Sequence, residues 1–184
     1  MIEPSGPIAS PIAGPPTGPL ASVVVRRIAI NEDAAYRAIR LESLRAHPEA
    51  FSASFELEAE HSLPFFTERL SSNVIFGGFV NQTLLGTAGF RISPGAKLAH
   101  KGLFWGMYVR PAARGTGLAT RLVRAVLDYA QGRVERVHLM VVADNAAARR
   151  LYQSMGFKAY ATEERSLRVG DRYLDEVMMV RVMD

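Results

Sequence analysis

The 184-residue chain contains no cysteine, which excludes disulfides, thiolate metal sites and a cysteine nucleophile together. That composition suits a cytoplasmic protein. Long apolar runs are also missing. The longest, such as Leu103 to Val109, fall far short of the roughly 20 residues a membrane helix needs, so no membrane partner is expected. The start, MIEPSGPIASPIAGPPTGPLAS, lacks the basic opening and unbroken apolar centre of a secretory signal. Its prolines would break any helix. Residues 1–22 therefore read as a Pro/Gly/Ala-rich flexible tail ahead of a single domain, residues 23–184.

Concentrated charge is scarce as well. The net charge is only +4, and the arginines are spread among acids instead of forming a basic stripe with interleaved aromatics. Nucleic acid is therefore not an expected partner, and no metal is expected. Arginines do gather between Arg110 and Arg136 and again at Arg149-Arg150. They would suit a small polyanion, or simply decorate solvated helix faces.

What is present is a globular composition, 48% hydrophobic and 22% charged, enough for one core. VVVRRIAI (Val23 to Ile30) reads as a strand, with Asn31 as the cap of a helix that runs to Ala46 and ends at His47-Pro48. A second helical stretch runs from about Glu56 to Leu70, with Pro64 disturbing it. NVIFGGFV and TLLGTAGFRI, separated by Asn81-Gln82, have hairpin spacing, and KGLFWGMYV (Lys101 to Val109) completes a meander of three strands. From Gly117 the period changes. Leu118, Leu122, Ala125, Val126 and Tyr129 share one helix face, and Gln131-Gly132 stops it. VHLMVV (Val137 to Val142) is a buried strand and Asn145 to Met155 a helix ended by Gly156. FKAYATEE and DEVMMVRV close the chain as strands. The order β-α-α-β-β-β-α-β-α-β-β predicts an α/β domain built on a mixed, largely antiparallel sheet flanked by helices.

The segment Arg114-Gly115-Thr116-Gly117-Leu118-Ala119-Thr120 lies between a strand and a helix, where uncovered amides suit an anion. A nucleotide P-loop would need Lys then Ser or Thr after the last glycine, where Leu118-Ala119 stands. A dinucleotide fingerprint from Gly115 would need Gly or Ala at position 120, which is Thr120. The pattern R/Q-x-x-G-x-G/A is met in full by Arg114, Gly117 and Ala119. On their own, Gly115 and Gly117 could equally shape a tight turn.

This pattern resembles the acetyl-coenzyme A loop of the GNAT superfamily of N-acetyltransferases, and NAAARRLYQSMGF (Asn145 to Phe157) resembles the same family's later helix. Asn145, Ala148 and Tyr152 are spaced to share one helix face, although a tyrosine there could equally be core. The two motifs stand in family order with a strand between them. GDRYLDEVMMV also looks like the closing hairpin of bacterial members, so the resemblance covers Val23 onward.

The resemblance implies an N-acetyltransferase that moves an acetyl group from acetyl-CoA to a primary amine of a small molecule or protein. Its cofactor contacts would come from Met107, Tyr108 and Val109, from Arg114 through Thr120, and from Asn145, Ala148 and Tyr152. A backbone N–H near Tyr108 or Val109 would receive the thioester carbonyl, and Tyr152 would protonate the leaving thiolate. The strand glutamate that some members use as base is missing, which leaves Glu42, Glu56 and Tyr108 as candidate positions. His47 and His61 have no discernible partner in the sequence. Ala46 to Phe55 and a loop Leu167 to Tyr173 are expected to cover the acceptor side. The family also brings a homodimer through the strands after Phe157 into view. A non-catalytic acyl-CoA binder of the same fold is the alternative reading.

Overall fold

The computed structural model describes residues 23–183; the expected tail, residues 1–22, lies outside them. Its strands are β1 (Val24–Arg27), β2 (Val74–Val80), β3 (Thr83–Ile92), β4 (Lys101–Val109), β5 (Arg136–Val142), β6 (Lys158–Val169) and β7 (Arg172–Val182). Its α-helices are α1 (Asp33–Ala46), α2 (Phe55–Glu60), α3 (Leu63–Ser72), α4 (Leu118–Ala130) and α5 (Ala146–Ser154). The strands form one seven-stranded sheet in the order β1-β2-β3-β4-β5-β7-β6. Every neighbouring pair is antiparallel except β4 and β5, which run parallel.

Each sheet face carries its own apolar layer. Leu118, Leu122 and Val126, four residues apart on α4, pack with Phe90, Phe104, Val137, Leu139, Val177 and Met179 on one side. Such spacing places them in one stripe along the helix. Tyr36 and Ile39 of α1 and Phe66 and Leu70 of α3 pack with Ile75, Phe79, Leu84 and Tyr108 on the other.

The expected elements are found with four corrections. Strand β1 is shorter than expected, because Ile30–Glu32 form a 3-10 turn, and α1 starts at Asp33. Asn31 lies inside that turn and is not the cap; the Glu32 carboxylate instead accepts from the Ala29 N–H, 2.8 Å. The single helix expected from Glu56 to Leu70 is two helices. Pro64 stands in the first turn of α3, where a missing N–H costs nothing and the fixed φ favours a helix start. The loop expected from Leu167 to Tyr173 is mostly strand, since Leu167 pairs with Leu174 and Arg168 with Tyr173. Gly170-Asp171 alone make the turn.

The three helices on the second face are tied by one buried carboxylate. Glu58 of α2 accepts from Arg40 Nε and NH2 (3.0 and 2.9 Å) and from Arg69 NH1 at both oxygens (2.9 and 3.0 Å). Burial alone would raise the Glu58 pKa, but the two guanidiniums outweigh it and the net shift is downward. Glu58→Gln strands two partly buried cations, and denaturant unfolding at pH 7 should show a loss of about 3–5 kcal/mol. Because the folded-state pKa is lowered, the carboxylate's contribution is present above the unfolded value, about 4.3. It is lost as pH falls through the folded value, so wild type and variant should converge in acid.

Candidate active site

Strand β4 begins paired with β5, but only Lys101, Gly102 and Leu103 have partners there, Arg136, Val137 and His138. Beyond them β5 stays with β7 as far as Val142 opposite Glu176, while β4 stays with β3. The two central strands therefore part from Phe104 onward and leave a gap bordered by unpaired backbone. The cause is local. Gly106 has φ +64°, and the β3–β4 register shifts across Thr87 and Gly89, the mark of a bulge, which bends the strand.

The bulge also resets which side each residue faces. Phe104, Met107 and Val109 pack with α4 and α5, whereas Trp105 and Tyr108 pack with α1 and α3. Strict alternation would have put Phe104 and Tyr108 on the same face. The Tyr108 hydroxyl instead donates to Glu42 Oε1 of α1, 3.0 Å away. Arg110 grips the other oxygen of that carboxylate through Nε (2.9 Å) and NH2 (2.7 Å). Burial first, and the Glu42 carboxylate second, push the Tyr108 pKa up, so this hydroxyl stays protonated at neutral pH.

At the end of β4 the chain turns through Pro111–Ala113 into the loop. Gly115 and Gly117 have φ +77° and +82°, a left-handed conformation open to glycine at little cost. Among the described residues nothing stands within 4 Å of where a Cβ would project from either. Gly117 caps α4 without a side-chain hydrogen bond. The first intrahelical bond runs from Arg121 N–H to Gly117 C=O, 3.1 Å, so the Leu118, Ala119 and Thr120 amides precede any such partner. No acidic residue occurs between Arg110 and Leu127. An open cradle of amides, in a stretch of chain without acidic residues, fits a pyrophosphate. Thr116 Oγ1 braces it from within by donating to Ala113 C=O, 2.7 Å.

Tyr152 lies where the gap begins. Its ring meets Phe104, the first β4 residue past the last β5 pair, edge-on at 5.6 Å, and Phe157 at 5.9 Å. Only 6% of the residue is exposed, and burial pushes its pKa strongly up. No hydrogen bond joins its hydroxyl to another described residue.

The sequence pattern of the acetyltransferase (GNAT) family matches residues 36–157. The chain belongs to that family. An N-alpha-acetyltransferase, RimI, of Mycobacterium tuberculosis is 46% identical over 61 residues, which span 33% of this chain and 37% of that protein. The fold is shared with a GNAT acetyltransferase from Streptococcus pneumoniae (TM-score 0.80, 19% identity, covering 89% of this chain and 100% of that one). It is shared also with a Salmonella typhimurium protein solved with its cofactor acetyl-CoA (TM-score 0.74, 22% identity, 89% and 95% covered).

Among the GNAT site residues expected from sequence, the structure brings Glu42 and Tyr108 together across 66 positions. Both Glu42 oxygens are engaged, so it holds Tyr108 and Arg110 in place. Glu56 is exposed on α2, and among the described residues no hydrogen bond or ion pair joins it to them. Asn145 Oδ1 caps α5 by accepting from Ala148 N–H, 3.1 Å. Arg114 anchors the loop by donating from Nε to Val109 C=O, 3.1 Å, and its NH2 meets His47 Nε2 at 3.0 Å. His47 thus has partners after all, since Nδ1 lies 3.1 Å from Glu49 Oε1, while His61 stacks on Phe65 at 3.8 Å. Sequence reasoning missed the Arg110–Glu42 pair. It also missed Gly106, although a lone glycine inside a strand is itself a bulge signal.

A groove of about 590 Å³ opens between α1 and α2, lined among others by Arg37, Leu41, Glu42, Arg45 and Phe55. The turn Pro48–Ala50, beyond α1, packs against β5 and β6. This part of the expected Ala46–Phe55 cover therefore reaches over the sheet on the side where Tyr108 lies.

Proposed function

We propose that the chain moves an acetyl group from acetyl-CoA directly to a primary amine. The observation that carries this reading is the gap between β4 and β5, with an open amide cradle at its mouth and the buried Tyr152 at its base. Acetyl-CoA supplies the acetyl group and a thiol leaving group. The amides of Gly115 to Thr120 hold its pyrophosphate, with Met107 to Val109 offering backbone along the gap. A free N–H near Tyr108 or Val109 receives the carbonyl oxygen as negative charge develops. Tyr152, kept protonated by burial and without a competing partner among the described residues, donates its proton to the departing sulfur, and the proton that the amine gives up restores it.

A buried tyrosine whose hydroxyl has no partner among the described residues also favours the enzyme over a non-catalytic acyl-CoA binder, which would not require that group. The N-alpha-acetyltransferase relative supports an amine as acceptor. The test is release of free thiol from acetyl-CoA with a panel of primary amines, followed by mass analysis of each amine. Amine-dependent release with a matching acetylated product is expected. Acetyl-CoA binding with no transfer to any amine would support the binder instead.

A further inference from the structure

We infer that Glu176 anchors a second positive charge on the acceptor, so that the preferred acceptors are primary amines carrying another cationic group. The inference rests on the acetyl-transfer reading above. Glu176 is on β7 between Leu174 and Met178, while the alternate residues Val177 and Met179 belong to the α4–α5 core. It therefore faces the side of Tyr108 and α1. Only 7% of it is exposed, yet among the described residues no cationic side chain forms an ion pair with it. Among the described residues its single hydrogen bond comes from Ser166 Oγ to Oε2, 2.8 Å, and no described donor meets Oε1. The residue directly opposite on β6 is Glu163, a charge of the same sign, which is unfavourable across a strand pair.

The backbone beside this carboxylate is distorted. Between the pairs Glu163–Glu176 and Leu167–Leu174, three residues of β6 stand against Asp175 alone. Arg165 in this bulge has φ +55°, uncommon for a residue other than glycine. Its N–H donates to Asp175 Oδ1, 2.8 Å, and its guanidinium lies 3.9 Å from the Tyr173 ring centre. The bulge turns the Ser166 hydroxyl onto Glu176. Strain of this kind gathers where a ligand is to be met.

The register sets the distance. Glu176 pairs with Val142, the last residue of β5, and the gap opens on the far side of β5. With strands about 4.8 Å apart, a cation at Glu176 lies about 10 Å from the middle of the gap, roughly two strand spacings. The reacting amine must be in the gap, so the charge at Glu176 is a different one. A diamine of about six carbons has the required reach, as does a peptide with a lysine next to its N-terminal amine.

The test is calorimetric titration with two matched pairs, hexane-1,6-diamine against hexylamine and the tripeptide Ala-Lys-Ala against Ala-Ala-Ala, with and without saturating coenzyme A. In the wild type at least one dicationic probe should bind about tenfold tighter than its partner. The pair that shows the preference identifies the source of the charge. Glu176→Gln should bring that ratio to about one while acetyl-CoA affinity stays unchanged. A wild-type ratio near one in both pairs, or a ratio that survives Glu176→Gln, overturns the proposal. The wild-type ratios decide even if the variant does not fold. Failure of the acetyl-transfer reading is distinguishable, because it appears as no acetylated product from any amine of the panel above, measured first.

Discussion

Replacing Gly117 by Trp is expected to weaken acetyl-CoA binding about 100-fold or more in a calorimetric titration. Each hydrogen bond from a backbone amide to a charged group contributes about 1.5–3 kcal/mol. An indole in the open space over Gly117 displaces at least two of them, and about 2.8 kcal/mol is already 100-fold. The substitution also forces a side chain into a left-handed conformation at φ +82°, at about 1–2 kcal/mol of stability. Gly95→Trp separates the two effects. Gly95 has φ +90° and equally open space, but it lies in the turn between β3 and β4, away from the loop. It should carry the same strain and keep full acetyl-CoA affinity. Equal loss in both variants would mean that strain alone explains the result.

Tyr152→Phe is expected to slow turnover about 100-fold with acetyl-CoA affinity unchanged. The ring contacts with Phe104 and Phe157 survive the change, and the lost hydroxyl has no described partner. Melting temperature should therefore barely move, within about 0.5 kcal/mol in stability. That combination separates a proton donor from a packing residue. In the wild type, burial holds this hydroxyl above the ordinary tyrosine value of about 10. The rate should therefore show no alkaline fall from Tyr152 ionisation below about pH 10. Full activity in Tyr152→Phe would remove the residue from the chemistry.

Local chemistry explains which parts of this site are legible in the sequence. The loop and both helix faces follow from neighbours in the chain. Glycines at 115 and 117, apolar residues at 118, 122 and 126, and Asn145 ahead of α5 each act within a few positions. Pro64 shows where one residue permits two outcomes, since it can disturb a helix or begin one, and the contacts of α3 with α1 select the second. The gap is different in kind. It depends on β4 leaving β5 after Leu103 while β5 holds to β7, and strand pairing over such separations leaves no local mark. Glu42 and Arg110 are bonded across 68 positions, and only the bulge at Gly106 brings Tyr108 to them. Ser166 reaches Glu176 through a left-handed Arg165, a conformation that no arginine announces.

The most direct test of the central claim is a crystal structure with acetyl-CoA bound. The pyrophosphate is expected within hydrogen-bond reach of the Gly115 to Thr120 amides. The thioester is expected between β4 and β5, with its sulfur near the Tyr152 hydroxyl. Acetyl-CoA bound elsewhere, with the gap between β4 and β5 left vacant, would contradict the claim.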